Sequence, residues 1–249
     1  MRTTAVLNLK GGVAKTTTVV NMAAILARLH GKRVLVIDAD SQANTTEFFG
    51  GVPEAGDTFS DMLRRSCKTQ VIFHSNFPGV DLLGADDSLM DLDLSKVEGQ
   101  QVDVSCLKNK LKELEADYDY VFIDCPPAFN AASAAALLAA DDVLIPMKLD
   151  AFSLRGMANL MRQIRNMQRI NRGLKLAGLL PTMSYKSENI QDAIQQLQAS
   201  KLNVFSPIRR SEKVDDMTFE QAPLIISSPR SGSCQDYKRF VFEYVKGGK

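Results

Sequence analysis

Asn8-Leu9-Lys10-Gly11-Gly12-Val13-Ala14-Lys15-Thr16-Thr17 sets a glycine pair between two lysines and runs straight into threonines. Lys15 followed by the Thr16 hydroxyl is the pairing that places an ammonium on the β- and γ-phosphates of a nucleotide and an oxygen ligand on Mg²⁺. Lys10 lies five residues earlier, beyond the glycines. From there its side chain need not reach phosphates bound by its own chain.

The flanks suit such a loop. Thr3 to Leu9 is a short apolar run that predicts a buried strand, and Thr16 to His30 carries apolar residues at helical spacing, closed by Gly31. A strand, a glycine turn and a helix in direct succession aim free N–H groups and the positive end of a helix dipole at one point. The strict G-x-x-x-x-G-K-[ST] pattern is not met, because Leu9 and Ala14 occupy its two glycine positions. Gly11 and Gly12 must then provide the close backbone approach, and Ala14 is expected to keep a negative φ.

Outward from the loop, strand-like and helix-like segments alternate. Arg33–Ile37, Val80–Leu83, Tyr120–Ile123, Val143–Pro146, Lys175–Leu180 and Asn203–Phe205 read as strands. Leu107–Leu114, Ala131–Ala140, Phe152–Asn171, Asn189–Ala199 and Cys234–Val245 read as helices, while Gly50–Ser105 is the least legible stretch. The alternation predicts an α/β fold, a mostly parallel twisted sheet with helices on both faces. With 249 residues and 45% hydrophobic content, one domain spanning 1–249 is expected.

A net charge of +1 excludes bulk affinity for polyanions, so any nucleic-acid contact must come from a local patch. Cys67, Cys106, Cys125 and Cys234 are scattered without a C-x-x-C pair, which points away from a disulfide framework or a zinc or iron–sulfur centre. No apolar run approaches the ~20 residues of a membrane span, and no signal peptide is expected ahead of the first strand. A cytoplasmic location is expected.

Two carboxylate sites follow the loop. Val34-Leu35-Val36-Ile37-Asp38-Ala39-Asp40 and Tyr120-Val121-Phe122-Ile123-Asp124 each place acids at the end of an apolar strand, where open α/β sheets gather ligands. A carboxylate there is expensive to desolvate without a cation, and nucleotide-bound Mg²⁺ supplies one.

With these pieces in view, the chain resembles the ParA group of deviant Walker A ATPases over nearly its whole length. The resemblance rests on Lys10–Thr17, on Asp38-Ala39-Asp40-Ser41-Gln42-Ala43-Asn44, on Asp124-Cys125-Pro126-Pro127 and on Ala140-Asp141-Asp142-Val143-Leu144-Ile145-Pro146. Thr182-Met183 and Ile208-Arg209-Arg210-Ser211-Glu212-Lys213 fall where that family has related segments, although Ile-Pro-Arg is usual where this chain has Ile208-Arg209-Arg210.

The resemblance implies a Mg·ATP-dependent homodimer that binds double-stranded DNA nonspecifically and hydrolyses ATP slowly until a ParB-type partner stimulates it, with nucleoid association in the ATP state. Residue by residue, it implies that Lys10 crosses to the other subunit's nucleotide, Lys15 holds the β- and γ-phosphates, and Gly11, Gly12, Val13, Ala14, Thr16 and Thr17 line the phosphates. Thr16 would ligate Mg²⁺, Asp124 would support it through water, Asp38 would lie nearer the metal, and Asp40 would position the attacking water. Thr182, Met183 and Ile208 would flank the adenine.

A DNA contact is also readable directly. Arg155, Arg162, Arg165, Arg169 and Arg172 are separated by 7, 3, 4 and 3 positions, which puts them on one helix face opposite Met157, Leu160, Met161, Ile164 and Met167. Arg209, Arg210, Lys213 and Arg230 form a second candidate cluster. The alternative from another class is a membrane-surface organiser resembling MinD, but Tyr237–Val245 reads better as a core helix than as an anchor, and no membrane partner is expected.

Overall fold

The structure is a computed structural model that describes residues 1–51, 57–64, 72–92, 102–199 and 202–247. In chain order its elements are β1 (Arg2–Val6), α1 (Lys15–His30), β2 (Val34–Asp38), α2 (Asn44–Phe48), α3 (Phe59–Leu63), β3 (Phe73–His74) and β4 (Val80–Leu83), then a 3₁₀ turn at Asp87–Leu92. They continue with α4 (Cys106–Glu113), β5 (Tyr120–Asp124), α5 (Ala131–Ala139), β6 (Asp142–Lys148), α6 (Ala151–Ile170), β7 (Lys175–Thr182) and α7 (Glu188–Ala199). The last are α8 (Glu212–Phe219), α9 (Leu224–Ser227) and α10 (Gly232–Lys246).

The strands form one sheet in the order β3-β4-β2-β5-β1-β6-β7, parallel except for the β3/β4 pair at one edge. The expected fold class is therefore the one observed. Alternation along each strand divides the core: Ala5, Leu35 and Ile37 face a layer that includes α3 to α7, while Val6, Val34 and Val36 face α1, α2 and α8 to α10. Continuous apolar runs with both faces covered are what a buried parallel sheet requires.

Three expectations about elements change. The first strand stops at Val6 instead of running to Leu9, because the chain must leave the sheet to form the loop. Asn203–Phe205 is not a strand; it makes a single parallel bridge, Leu179 to Val204. The basic helix ends at Ile170, so Arg172 lies beyond it in the turn before β7. Of the cysteines, Cys67 lies outside the described residues, and Cys125 and Cys234 are buried as small core side chains.

The order of the central strands positions the site. β1 lies between β5 and β6, and the register pairs Val6 with Asp124 and Asp38 with Asp124. The loop after β1 and both acid-bearing strand ends thus leave the sheet at one level, at the carboxyl edge where the strand order switches.

Candidate nucleotide-binding site

The loop after β1 is shaped by short polar links and two left-handed residues. The Asn8 side chain donates to the Pro146 carbonyl (2.8 Å) and accepts from the Lys10 N–H (3.0 Å), pinning the loop's first half to β6. Gly12 has φ 66° and Ala14 has φ 65°, so the expectation of a negative φ at Ala14 is overturned. A left-handed conformation at a residue with a Cβ costs roughly 1–2 kcal/mol. The Ala14 carbonyl is in return held by both the N–H (3.0 Å) and the Oγ1 (2.7 Å) of Thr18. Among the described residues Ala14, Ala43, Met183 and Gln221 are the non-glycine residues with positive φ. The first three lie in the phosphate loop, the loop carrying Asp40 and the segment after β7. Strain concentrates where a ligand site needs the backbone held in one form.

Lys15 opens α1, is buried, and points its ammonium at the Lys10 carbonyl (3.4 Å). Lys10 lies outside on the rim, where its ammonium pairs with Asp150 of the same chain at 2.7 Å. Both partners are partly exposed, and such a pair is worth about 1 kcal/mol or less. It parks Lys10 without fixing it there.

The carboxylates meet behind the loop. Asp124 accepts from Thr16 Oγ1 (2.6 Å) and Thr45 Oγ1 (2.7 Å) through Oδ2, while its Oδ1 is buried with no hydrogen-bond partner. Asp38 accepts from the N–H (2.8 Å) and Oγ1 (2.7 Å) of Thr46 and from the Asp40 N–H (3.1 Å), tying the start of α2 to the sheet. Asp40 is only half-buried and accepts from the Gln42 N–H at 3.2 Å. Burial pushes Asp124 well above the ordinary carboxylate range, and burial together with the neighbouring Asp124 charge does the same to Asp38. Two enclosed acids and one orphaned carboxylate oxygen beside a threonine hydroxyl fit a hard divalent cation. Thr16 and Asp124 are the residues that would hold it, and it would neutralise phosphate charge there.

The raised acids have a consequence for the metal-free protein. The folded chain binds these protons more tightly than the unfolded chain, so the stability they confer is present at low pH and lost as pH rises from about 4 toward neutrality. Thermal melts without metal should show a falling midpoint over that range, and Asp124→Asn should flatten the slope. A D124N variant with the parental slope would exclude Asp124 as a contributor.

On the other side of the loop, a cleft of about 500 Å³ is lined by Ala14, Thr17, Thr182, Met183, Ile208 and Tyr237 among others. Thr182 donates to the Val13 carbonyl (3.1 Å), joining this cleft to the phosphate loop. Thr182, Met183 and Ile208 are thus brought together with the loop, where a base and ribose would lie.

The basic residues divide. Arg162, Arg165, Arg169 and Arg172 are exposed and pair with no acid among the described residues. Leu160, Ile164 and Met167 on the opposite face are buried. Arg155 belongs to α6, but its side chain lies outside the described set. The second cluster is split: Arg209 and Arg210 line the nucleotide cleft, Arg209 is bound to Asp236, and Lys213 is paired with Asp216, leaving Arg230 exposed at a turn. Thr45, Thr46 and Asp150 are site residues that were not anticipated. The two threonines stand within 8 positions of Asp38 and were open to reading as partners of the strand-end acids. Asp150 lies 140 positions from Lys10 and gave no such signal.

A glycine loop with a buried lysine and paired strand-end acids, on a parallel sheet of this order, defines a P-loop nucleoside triphosphatase. Residues 1–176 match the family model described as an AAA domain, and the chain belongs to that family, in its ParA/Soj branch. It is 31% identical to the sporulation initiation inhibitor protein Soj of Bacillus subtilis over 98% of each chain. It is 36% identical to the chromosome partitioning protein ParA of Caulobacter vibrioides, over 78% of this chain and 74% of that one. Among solved structures, cobyrinic acid a,c-diamide synthase from Mycobacterium smegmatis with bound ADP and magnesium is 30% identical, with a TM-score of 0.81 over 100% of this chain and 97% of that chain.

Proposed function

We propose that residues 1–249 work as one Mg·ATP-driven dimerising switch that binds DNA nonspecifically and acts in plasmid or chromosome partitioning. ATP enters the loop and cleft, Lys15 takes the β- and γ-phosphates, and Thr16 with Asp124 holds the metal. Lys10 leaves Asp150 for the partner's triphosphate, where a cation supplied in trans stabilises charge developing in the transition state. Asp40 positions the water. Basal hydrolysis is slow, a ParB-type partner accelerates it, and loss of the γ-phosphate contacts releases the dimer from DNA and the nucleoid.

The observation that carries the DNA reading is the row of exposed arginines on and just after α6, none of them paired with an acid among the described residues. Such a row follows phosphates and is indifferent to base sequence. A membrane-surface role gains nothing from α10, whose Cys234, Tyr237, Phe240, Val241 and Tyr244 are buried in the core. Among the described residues no helix is long and apolar enough to cross a membrane.

The test is duplex binding with ATP across a salt series. Charge reversal at Arg162, Arg165 and Arg169 should weaken affinity for unrelated sequences alike and lower the slope of log K against log salt by about 3 for each protomer on the duplex, close to one unit per lost phosphate contact. Unchanged affinity and slope would remove the proposal.

A further inference from the structure

The base-side wall of the nucleotide cleft is assembled from two segments that are not adjacent in sequence. Ser184 N–H donates to the Ile208 carbonyl (2.9 Å), Ile208 N–H to the Pro181 carbonyl (2.8 Å), and Arg210 N–H to the Ser184 carbonyl (2.8 Å). This zipper fixes the segments to each other, and the Thr182 hydroxyl ties the first of them to the Val13 carbonyl of the phosphate loop (3.1 Å). The second segment, which carries Arg209, is braced by a third element.

Arg209 gives three hydrogen bonds to one carboxylate on α10. Its backbone N–H (3.1 Å) and its Nε (2.6 Å) reach Asp236 Oδ2, and its terminal guanidinium nitrogen reaches Oδ1 (3.0 Å). Asp236 is 3% exposed, so this is a charge-assisted, bidentate pair with one partner enclosed. A proline at 209 would have neither donor group. The guanidinium lies against the first turn of α10. A Cβ added to Gly232 would come within 2.6 Å of it, so a side chain there would push the guanidinium from its present place.

The next residue of α10 faces the other half of the site. The Tyr237 hydroxyl lies 3.4 Å from Thr18 Oγ1, the group that holds the strained Ala14 carbonyl. Two successive residues of α10 therefore face the base-side wall and the phosphate loop.

We infer that Arg209, Asp236 and Gly232 are positioning residues for nucleotide binding: they set the base-side wall at the distance from the phosphate loop that a nucleoside requires. The inference rests on the cleft being the nucleotide site. It assigns these residues an effect on ligands that carry a base and none on ligands made of phosphate alone.

That difference is the test. Dissociation constants for Mg·ADP and for Mg·inorganic tripolyphosphate are measured by calorimetry on the full chain and on D236A, G232A and R239A, with thermal melts of each. D236A and G232A should weaken ADP about tenfold, the scale of losing a charge-assisted hydrogen bond, and leave tripolyphosphate unchanged. R239A is the control: Arg239 shares Asp236 (3.2 Å) without bonding the wall, so ADP affinity should hold. G232A deletes no group and places alanine in a helix, which keeps the comparison available if D236A fails to fold.

Unchanged ADP affinity in D236A and G232A would overturn the inference, as would equal losses for the two ligands. If the unmodified protein bound neither, the reading of the cleft would fail first, and that result is distinct from failure of the clamp.

Discussion

Lys15→Ala should lower affinity for Mg·ADP and Mg·ATP by at least about 100-fold, the scale for removing a charge-assisted contact from an enclosed anion site. The lysine is buried at the start of α1 with the Lys10 carbonyl as its acceptor, at a long 3.4 Å, so its ammonium is directed at a ligand more than at a structural partner. Thermal shift gives a direct readout. Ligand at 100 times its dissociation constant adds about 2.7 kcal/mol to the parent protein, and the same concentration should leave the variant's midpoint almost unmoved. The variant also loses the Lys15 charge that draws the Asp124 pKa down, so Asp124 moves further toward its protonated form, and the ligand-free melt is recorded beside the ligand-bound one. An alanine variant that kept most of the ligand-induced shift would mean that the phosphates are held elsewhere.

Asp40→Ala is expected to separate binding from turnover. Asp40 is half-buried beyond the enclosed acids, with one oxygen accepting from Gln42, which leaves its carboxylate able to orient a water. Loss of such a group lowers the rate by about 10²–10⁴-fold without removing a phosphate contact. ATP binding should persist, and with hydrolysis blocked the ATP-bound dimer should accumulate in sedimentation or light-scattering runs. Steady-state turnover equal to that of the parent would remove Asp40 from the mechanism.

The parts of this site that were legible in the sequence are those where local chemistry and position coincide. Lys10–Thr17 between a strand and a helix left little freedom for the loop, and acids ending apolar runs marked the carboxyl edge of the sheet. The α6 pattern was readable because helical spacing alone separates Arg162, Arg165 and Arg169 from Leu160, Ile164 and Met167. What stayed hidden depends on contacts between distant segments. Arg209 read as a free basic residue because Asp236 lies 27 positions away on another element. Asp150 was likewise invisible as the partner of Lys10. Ala14 misled for a different reason: the preference against left-handed alanine is real but small, and two hydrogen bonds from Thr18 to its carbonyl offset it. Short elements such as α2, α3 and α9 were missed because four or five residues carry too little periodicity to be distinguished from loop.

The claim on which the rest depends is that Lys10 serves the opposite subunit. Mixing K10A with D40A tests it, because each variant alone lacks an essential group. In a mixed dimer that exchanges in trans, the K10A subunit keeps its own Lys15 and Asp40 and borrows Lys10 from its partner, giving one complete site. Random assortment makes half of the dimers mixed, so an equimolar mixture should recover about one quarter of the parental ATPase rate while either variant alone stays near zero. If Lys10 acts within its own chain, no pairing of these subunits restores a complete site, and a mixture as inactive as its components would contradict the account.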